Sequence, residues 1–351
     1  MNKKRAGILT FHDADNLGAV LQAYALCRFL NEQCGVSAEI IDYKCEKITE
    51  TKYASKDKGL KGFLKYIIKS VYYAIKRRGF NRFRKNSLDL SKKIYTKNNI
   101  KSCADSYDMF ITGSDQVWNP ECSGEDKTYV LDFVNDSAKK YSYAASIGNR
   151  EFTRDDETWI RNISDYKGLS VREKSAAKRL ADAGIEGVKV HSDPVTLLAE
   201  EEWKTVMSKR LVASGYVLVY LVLPDVNVMK RARAYAQKKN LKLISNKKSI
   251  EFILHNSPAD FLSWIYNAEC VFTNSFHGTA FSLIFNKPLF ADIEMENGVL
   301  NSRVKDYLEA VDCSACSGAD AETYDYKDKA KEKIEEMRKS AAEYLKEICE
   351  A

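Results

Sequence analysis

The chain has 351 residues, 45% of them apolar, with a formal net charge of +6. That length suits two cores of ordinary domain size. No run of about 18 apolar residues occurs, which excludes a membrane-spanning helix, and the opening MNKKRAGILTFH has no apolar leader, so a cytoplasmic protein is expected.

Nine cysteines at irregular spacing fit free thiols rather than a disulfide framework. Residues 56–86 hold eleven Lys or Arg against the single acid Asp57, a local charge of +10. The +6 of the whole less this +10 leaves −4 for the rest. A mildly acidic protein with one basic element is not a general nucleic-acid binder.

Residues 5–10 (RAGILT) read as a short apolar strand, 17–30 as a helix and 38–43 (AEIIDY) as a second strand, a β-α-β opening of the doubly wound kind. Asn16 is placed to cap the helix, and together with Gly18 to line a ligand cleft at this first strand-to-helix junction. In the basic segment Leu60, Phe63, Leu64, Ile67, Ile68, Val71, Tyr72 and Ile75 recur at helical spacing. The result is an amphipathic cationic helix inserted over 56–100. It reads as an appendage touching an anionic membrane surface, or as a solvated outer helix packed on its own domain.

Residues 108–112 (DMFIT) form the next buried strand, ending in Gly113, Ser114, Asp115 and Gln116. A glycine there permits close backbone approach, while Asp115 and Gln116 offer an acceptor and an amide. Strands over 141–147 (YSYAASI), 169–172 (LSVR) and 188–191 end in polar or small residues in the same way. Arg172 is an anion anchor, or the ion-pair partner of Glu173 or another acid.

A charged connector over 199–214 separates an N-terminal domain, 1–200, from a C-terminal one, 215–320, with a long charged helix over 325–351. Strands 216–223, 242–245, 269–273 and 289–291 alternate with helices 226–239, 259–268, 279–285 and 301–308. Ser257 and Pro258 make a capped helix start. The most telling stretch is 269–288, where a buried strand runs into the knot Asn274, Ser275, Phe276, His277, Gly278 and a helix follows at once. In open parallel sheets ligands sit at such junctions, and the first N–H groups of the helix favour an anion. His277 stands at this opening; helix capping or core packing is its plainer use.

Cys313 and Cys316 form one C-x-x-C without a second pair, and His12, His191 and His255 lack the spacing of helical metal ligands. There is no phosphate loop, nucleophile elbow or dinucleotide loop. Neither a metal nor a cofactor is expected.

Six segments in order resemble the polysaccharide pyruvyl transferase family: TFHDADNLGAVLQAYAL (10–26), ITGSDQVWN (111–119), YAASIG (143–148), SVREKSA (170–176), SDPVTLL (192–198) and TNSFHGTAFSLIFNKP (273–288). The resemblance extends over residues 7–308. It implies an α/β fold of two Rossmann-like domains facing across a cleft, similar to GT-B glycosyltransferases. The implied reaction moves the pyruvyl group of phosphoenolpyruvate onto a sugar of a cell-surface polysaccharide precursor as a ketal, with release of phosphate. The donor is a compact trianion, so the site needs cations and N–H dipoles, and a proton must reach the methylene carbon before two sugar hydroxyls add.

On this resemblance His277 and Asp115 are expected to be catalytic, and Arg172, Ser275, Gly278, Asn16, Gln116 and Arg303 to bind substrate. Many members carry an arginine where Ser275 stands, so either Arg303 or a residue of the basic segment is expected to supply that cation, or the donor is one other than phosphoenolpyruvate. The partners implied are phosphoenolpyruvate and a sugar or lipid-linked glycan, with peripheral membrane contact through 56–86. The alternatives are a GT-B-like glycosyltransferase using a sugar nucleotide, and a non-catalytic glycan- or anion-binding protein of a polysaccharide pathway.

Overall fold

A computed structural model of the chain describes residues 3–52, 60–148, 156–293, 301–317 and 327–351. Two compact units divide it: residues 1–73, 84–197 and 338–351 form the first, and 74–83 and 198–337 the second.

In the first unit β1 (Arg5–Leu9) leads to α1 (Leu17–Gln33), and β2 (Ser37–Ile40) returns beside β1. The short α2 (Glu46–Glu50) and the long α3 (Leu60–Ser87) precede β3 (Met109–Thr112), α4 (Pro120–Ser123) and β4 (Lys140–Ser142). These four strands are all parallel, in the order β2-β1-β3-β4. After α5 (Glu157–Ser164), the strands β5 (Ser170–Val171) and β6 (Lys189–Val190) pair in parallel across α6 (Lys174–Asp182). Ile8, Leu9, Phe110 and Ile111 are fully buried, as strands of a parallel sheet covered on both faces must be.

Two elements depart from their sequence pattern for identifiable reasons. The apolar run 141–147 stops pairing as a strand at Ser142, because Ala144 adopts a left-handed backbone with φ of 49°. Single bridges, Asp115 to Ala145 and Ala145 to Val171, then carry the pairing on. The second departure is α3, which is a helix as its periodicity requires, yet Ile67, Ile68 and Val71 point outward, 43%, 70% and 55% exposed. Its phase is set further along by the buried Phe80, Phe83 and Arg84, and at 3.6 residues per turn Ile67 and Val71 fall on the opposite side. Residues 53–59 of the basic segment lie outside the described residues.

The second unit opens with α7 (Glu200–Lys204), β7 (Tyr216–Tyr220), α8 (Val226–Lys238), β8 (Lys242–Ser245) and α9 (Ile250–Leu254). It continues through α10 (Pro258–Tyr266), β9 (Cys270–Thr273), α11 (Phe276–Ile284), β10 (Leu289–Ala291), α12 (Ser302–Ala310) and α13 (Lys327–Glu350), whose last turns belong to the first unit. Its sheet is again parallel, in the order β10-β9-β7-β8. Val217, Val219 and Phe272 from the strands pack on Val228 and Ala232 of α8. At the start of α10 Ser257 and Asp260 cap each other's N–H groups, both at 3.1 Å, with Pro258 in the first turn. Among the described residues no helix is long and apolar enough to cross a membrane.

In the first unit the end of α13 covers the strand ends. The Tyr344 hydroxyl donates to the Ser142 carbonyl at 2.9 Å, and its ring stacks on His191 at 4.8 Å. His191, Tyr344 and Tyr143 form a triangle of mutually stacked rings, with Tyr143 6.0 Å from His191 and 6.5 Å from Tyr344, and His191 Nδ1 lies 2.8 Å from the Ser170 hydroxyl. Burial, reinforced by the nearby Lys189 ammonium, pushes its pKa down to about 4. An unfolded histidine titrates near 6.5, so as pH falls the unfolded chain takes up this proton first. Stability from His191 is therefore complete above about pH 6.5 and declines down to about pH 4. Thermal melts across that window should show the decline, and His191→Gln should flatten part of it; an unchanged slope would contradict this placement.

Candidate functional site

Because each sheet is parallel, the carboxyl ends of its strands lie along one edge, and the polar residues singled out in the sequence gather there. In the first unit this edge is held by a buried polar network. The Gln22 amide of α1 donates to the Thr10 hydroxyl at 2.7 Å, and Thr10 donates to the Ser114 carbonyl at 2.8 Å. The Ser114 hydroxyl donates to Asp193 at 3.1 Å.

Asp193 also accepts from Arg172 Nη1 at 2.8 Å, while Arg172 Nε donates to Glu173 at 2.9 Å. The same Glu173 oxygen accepts from the Ser146 hydroxyl at 2.9 Å, and its other oxygen, Oε2, is buried without a hydrogen-bond partner among the described residues. Arg172 thus pairs with Glu173, as weighed from the sequence, and with Asp193 as well. Burial opposes its charge, but Glu173, Asp193 and Asp115 outweigh that and raise its pKa further.

Asp115 sits at the end of β3 with φ of 79°, a left-handed backbone that aspartate tolerates better than most residues. Its Oδ1 accepts from the Gln116 N–H at 2.8 Å. Gln116 accepts in turn from Asn119 at 3.0 Å. Gly148 has a φ of 67°, which favours glycine, and a β-carbon there would lie 2.5 Å from Gln116 Oε1, so a side chain at 148 would displace the Gln116 amide. Asn16 is exposed and caps α1, accepting from the Gly18 N–H at 3.0 Å.

Sequence reasoning passed over a charge cluster on the first loop of this unit. His12 Nε2 lies 3.1 Å from Asp42, Lys44 reaches Asp13 and Asp42 at 2.8 Å each, and Lys52 pairs with Asp13. Burial would raise the Asp42 carboxyl, but hydrogen bonds from His12 and Lys44 hold it down to about 2. Asp13 is lowered likewise, burial being outweighed by Lys44 and Lys52. Arg84 of α3 donates to the carbonyls of His12, Asp13 and Ala14 at 3.0, 2.9 and 2.6 Å and to Asp15 at 2.7 Å. The one available signal was register: Arg84 stands four residues after Phe80, on the helix face that packs inward.

In the second unit the site is the junction of β9 and α11. Asn274 is fixed by the Val222 N–H at 2.9 Å and by its own amide on the Leu223 carbonyl at 3.0 Å. Ser275 is the N-cap of α11, its hydroxyl accepting from the Gly278 N–H at 3.3 Å, and its own N–H donates to the Thr273 hydroxyl at 3.0 Å. His277 is the second residue of the helix, half-buried, its ring edge-on to Phe276 at 5.1 Å. Phe276 packs on Tyr307 of α12 at 5.3 Å. Arg303 is one turn before Tyr307 on the same helix and half-buried. The structure therefore gathers Ser275, His277 and Gly278 on one helix opening and sets Arg303 on the helix packed against it. Among the described residues no group of three or more His, Cys, Asp or Glu is arranged to hold a metal ion.

The class defined by this architecture is an α/β protein of two parallel-sheet units with polar residues at the carboxyl ends of the strands. A family model described as polysaccharide pyruvyl transferase matches residues 16–291. The chain belongs to the polysaccharide pyruvyl transferase family and is a transferase; membership implies a sugar or glycan acceptor. No curated protein matches the chain.

Among solved structures, UDP-GlcNAc 2-epimerase from Neisseria meningitidis bound to UDP-GlcNAc is similar at 9% identity and TM-score 0.44, covering 96% of this chain and 100% of that one. A putative UDP-N-acetylglucosamine 2-epimerase from Listeria monocytogenes is similar at 10% and 0.46, covering 94% of each. An E. coli heptosyltransferase with ADP is similar at 12% and 0.37, covering 84% of this chain and 89% of that one. At such values, site chemistry has to be argued from this chain's own residues.

Gly278 offers a direct test of the second-unit geometry. A β-carbon there would lie 2.5 Å from the Thr273 hydroxyl, which itself donates to the Tyr220 carbonyl at 2.5 Å. Gly278→Ala should destabilise the protein by about 1–3 kcal/mol in denaturant titration. Combined with Thr273→Ala, which removes the obstructing oxygen, the loss should be smaller than the sum of the two single losses. Strict additivity would show that the helix opening is not packed this tightly.

Proposed function

We propose that the protein transfers the pyruvyl group of phosphoenolpyruvate to a sugar of a cell-surface polysaccharide precursor as a ketal. A proton adds to the methylene carbon, two acceptor hydroxyls add to the neighbouring carbon with loss of their protons, and the carbon–oxygen bond to phosphate breaks. The products are a methyl-bearing ketal carboxylate and inorganic phosphate. Family membership together with His277 at the capped opening of α11 is the observation that carries this reading.

His277 is the proton donor in this proposal, on a helix end whose dipole favours the negative charge of the donor. Gly278 lets the backbone come close, and Ser275 orders the opening as a cap rather than contributing a cation. Arg303 then supplies the cation that an arginine at 275 would have brought. In the first unit, Arg172 provides a guanidinium whose orientation is fixed by Glu173 and Asp193, and Asp115 orients or deprotonates an acceptor hydroxyl. Asn16 and Gln116 bind substrate through their amides. Contact of residues 56–86 with an anionic membrane fits a lipid-linked acceptor presented at such a surface.

Phosphate release from phosphoenolpyruvate in the presence of sugar acceptors should fall by at least about tenfold in His277→Ala and, separately, in Arg172→Ala. Circular dichroism should show His277→Ala folded, since its side chain is half-buried and makes no part of the cap. Full activity in His277→Ala would remove the assignment. Thermal stabilisation by UDP or GDP but not by phosphoenolpyruvate would instead indicate a sugar-nucleotide donor.

A further inference from the structure

The outward stripe of α3 takes no part in either strand-end cluster. All 28 residues of this helix lack a carboxylate: its sequence contains neither Asp nor Glu. Helical geometry puts Ile67, Val71, Ala74, Arg78, Arg82 and Lys85 within a sector of about 80°, with Ile68 about 40° beyond its edge. All of them are exposed. The stripe changes character along its length, from the aliphatic Ile67, Ile68 and Val71 to the cationic Arg78, Arg82 and Lys85. The three cations form none of the ion pairs found among the described residues. The opposite face is fixed by Phe80, Phe83 and Arg84.

A solvated outer helix would carry polar residues on this stripe, and a core helix would turn the aliphatics inward. Neither holds. The helix is not apolar enough to cross a bilayer. Aliphatic side chains beside cations that form no ion pair among the described residues, on one face of a carboxylate-free helix, match a surface that is apolar below and anionic at its boundary. Nucleic acid and acidic polypeptide offer the anionic boundary without the apolar layer.

We propose that the outward stripe of α3 docks in the plane of an anionic lipid bilayer. Ile67, Ile68 and Val71 enter the boundary between headgroups and acyl chains, and Arg78, Arg82 and Lys85 lie against the headgroup phosphates. Aliphatic burial sets the depth, and the cations select anionic over zwitterionic lipid. The docking stands independently of the transfer reaction assigned to the strand ends, and it survives if that reaction proves to be another.

The test is sedimentation of the full chain with vesicles of equimolar phosphatidylglycerol and phosphatidylcholine, and with vesicles of phosphatidylcholine alone. The protein should pellet with the anionic vesicles at low salt, less at high salt, and stay in solution with phosphatidylcholine. Each cation contributes roughly fivefold to binding, so Arg78→Glu, Arg82→Glu and Lys85→Glu together should weaken it by at least about a hundredfold. Replacing Ile67, Ile68 and Val71 by Ser should abolish pelleting while leaving the net charge untouched. Both triple variants should melt with the parent chain, because every side chain changed is exposed. No pelleting at low salt would overturn the proposal. So would binding unaffected by the serine variant, the result expected of a purely electrostatic partner.

Discussion

The buried guanidinium of Arg172 is the constraint on which the first unit depends. Removing such a charge from water costs several kcal/mol, and the cost is offset only while every partner is in place. Here the partners come from different strand ends. Asp193 follows β6, Glu173 follows β5, and the serines that hold those two carboxylates, Ser114 and Ser146, follow β3 and β4. Through Ser114 the network reaches Thr10 at the end of β1 and Gln22 inside α1. Five strand ends are thereby set relative to one charge, and Asp115 and Gln116 inherit their positions from the loop that Ser114 anchors.

The second unit orders its strand end with neutral groups. Thr273, Asn274 and Ser275 spend their side chains on backbone N–H and carbonyl groups, and Gly278 is shaped to the Thr273 hydroxyl. A serine at 275 suits this arrangement because its short side chain reaches the N–H of Gly278, the third residue of the helix, which the long side chain of an arginine does not do as a cap. The opening of α11 is thus rigid without being charged. Any permanent cation facing an anion there has to come from another element, and Arg303 stands on α12, whose Tyr307 packs on Phe276.

Much of this was legible because it depends on local rules. Short apolar runs ending in polar knots identified the strands and their carboxyl ends, and Asn16 and Ser257 cap the helices as their residue types require. What stayed hidden depends on distant partners. Arg84 reads as one more solvated cation in a basic run until its guanidinium is seen on three carbonyls of the first loop. Alanine at 144 carries no signal for a left-handed backbone, so the early end of β4 was invisible. The periodicity of α3 announced a helix but not its phase, which Phe80 and Phe83 settle from the far end. The His12, Asp13, Asp42, Lys44 and Lys52 cluster was likewise beyond reach, since its members come from separate segments of the chain.

The measurement closest to the centre of this account is the stoichiometry of transfer. Phosphoenolpyruvate would be incubated with the protein and a panel of nucleotide-linked and lipid-linked sugars, with phosphate assayed and the sugars weighed by mass spectrometry. Phosphate should be released only when an acceptor is present, matched mole for mole by a sugar heavier by pyruvate less water. Phosphate release that no acceptor alters, or a sugar product formed from a nucleotide sugar while phosphoenolpyruvate is left intact, would contradict the proposed transfer.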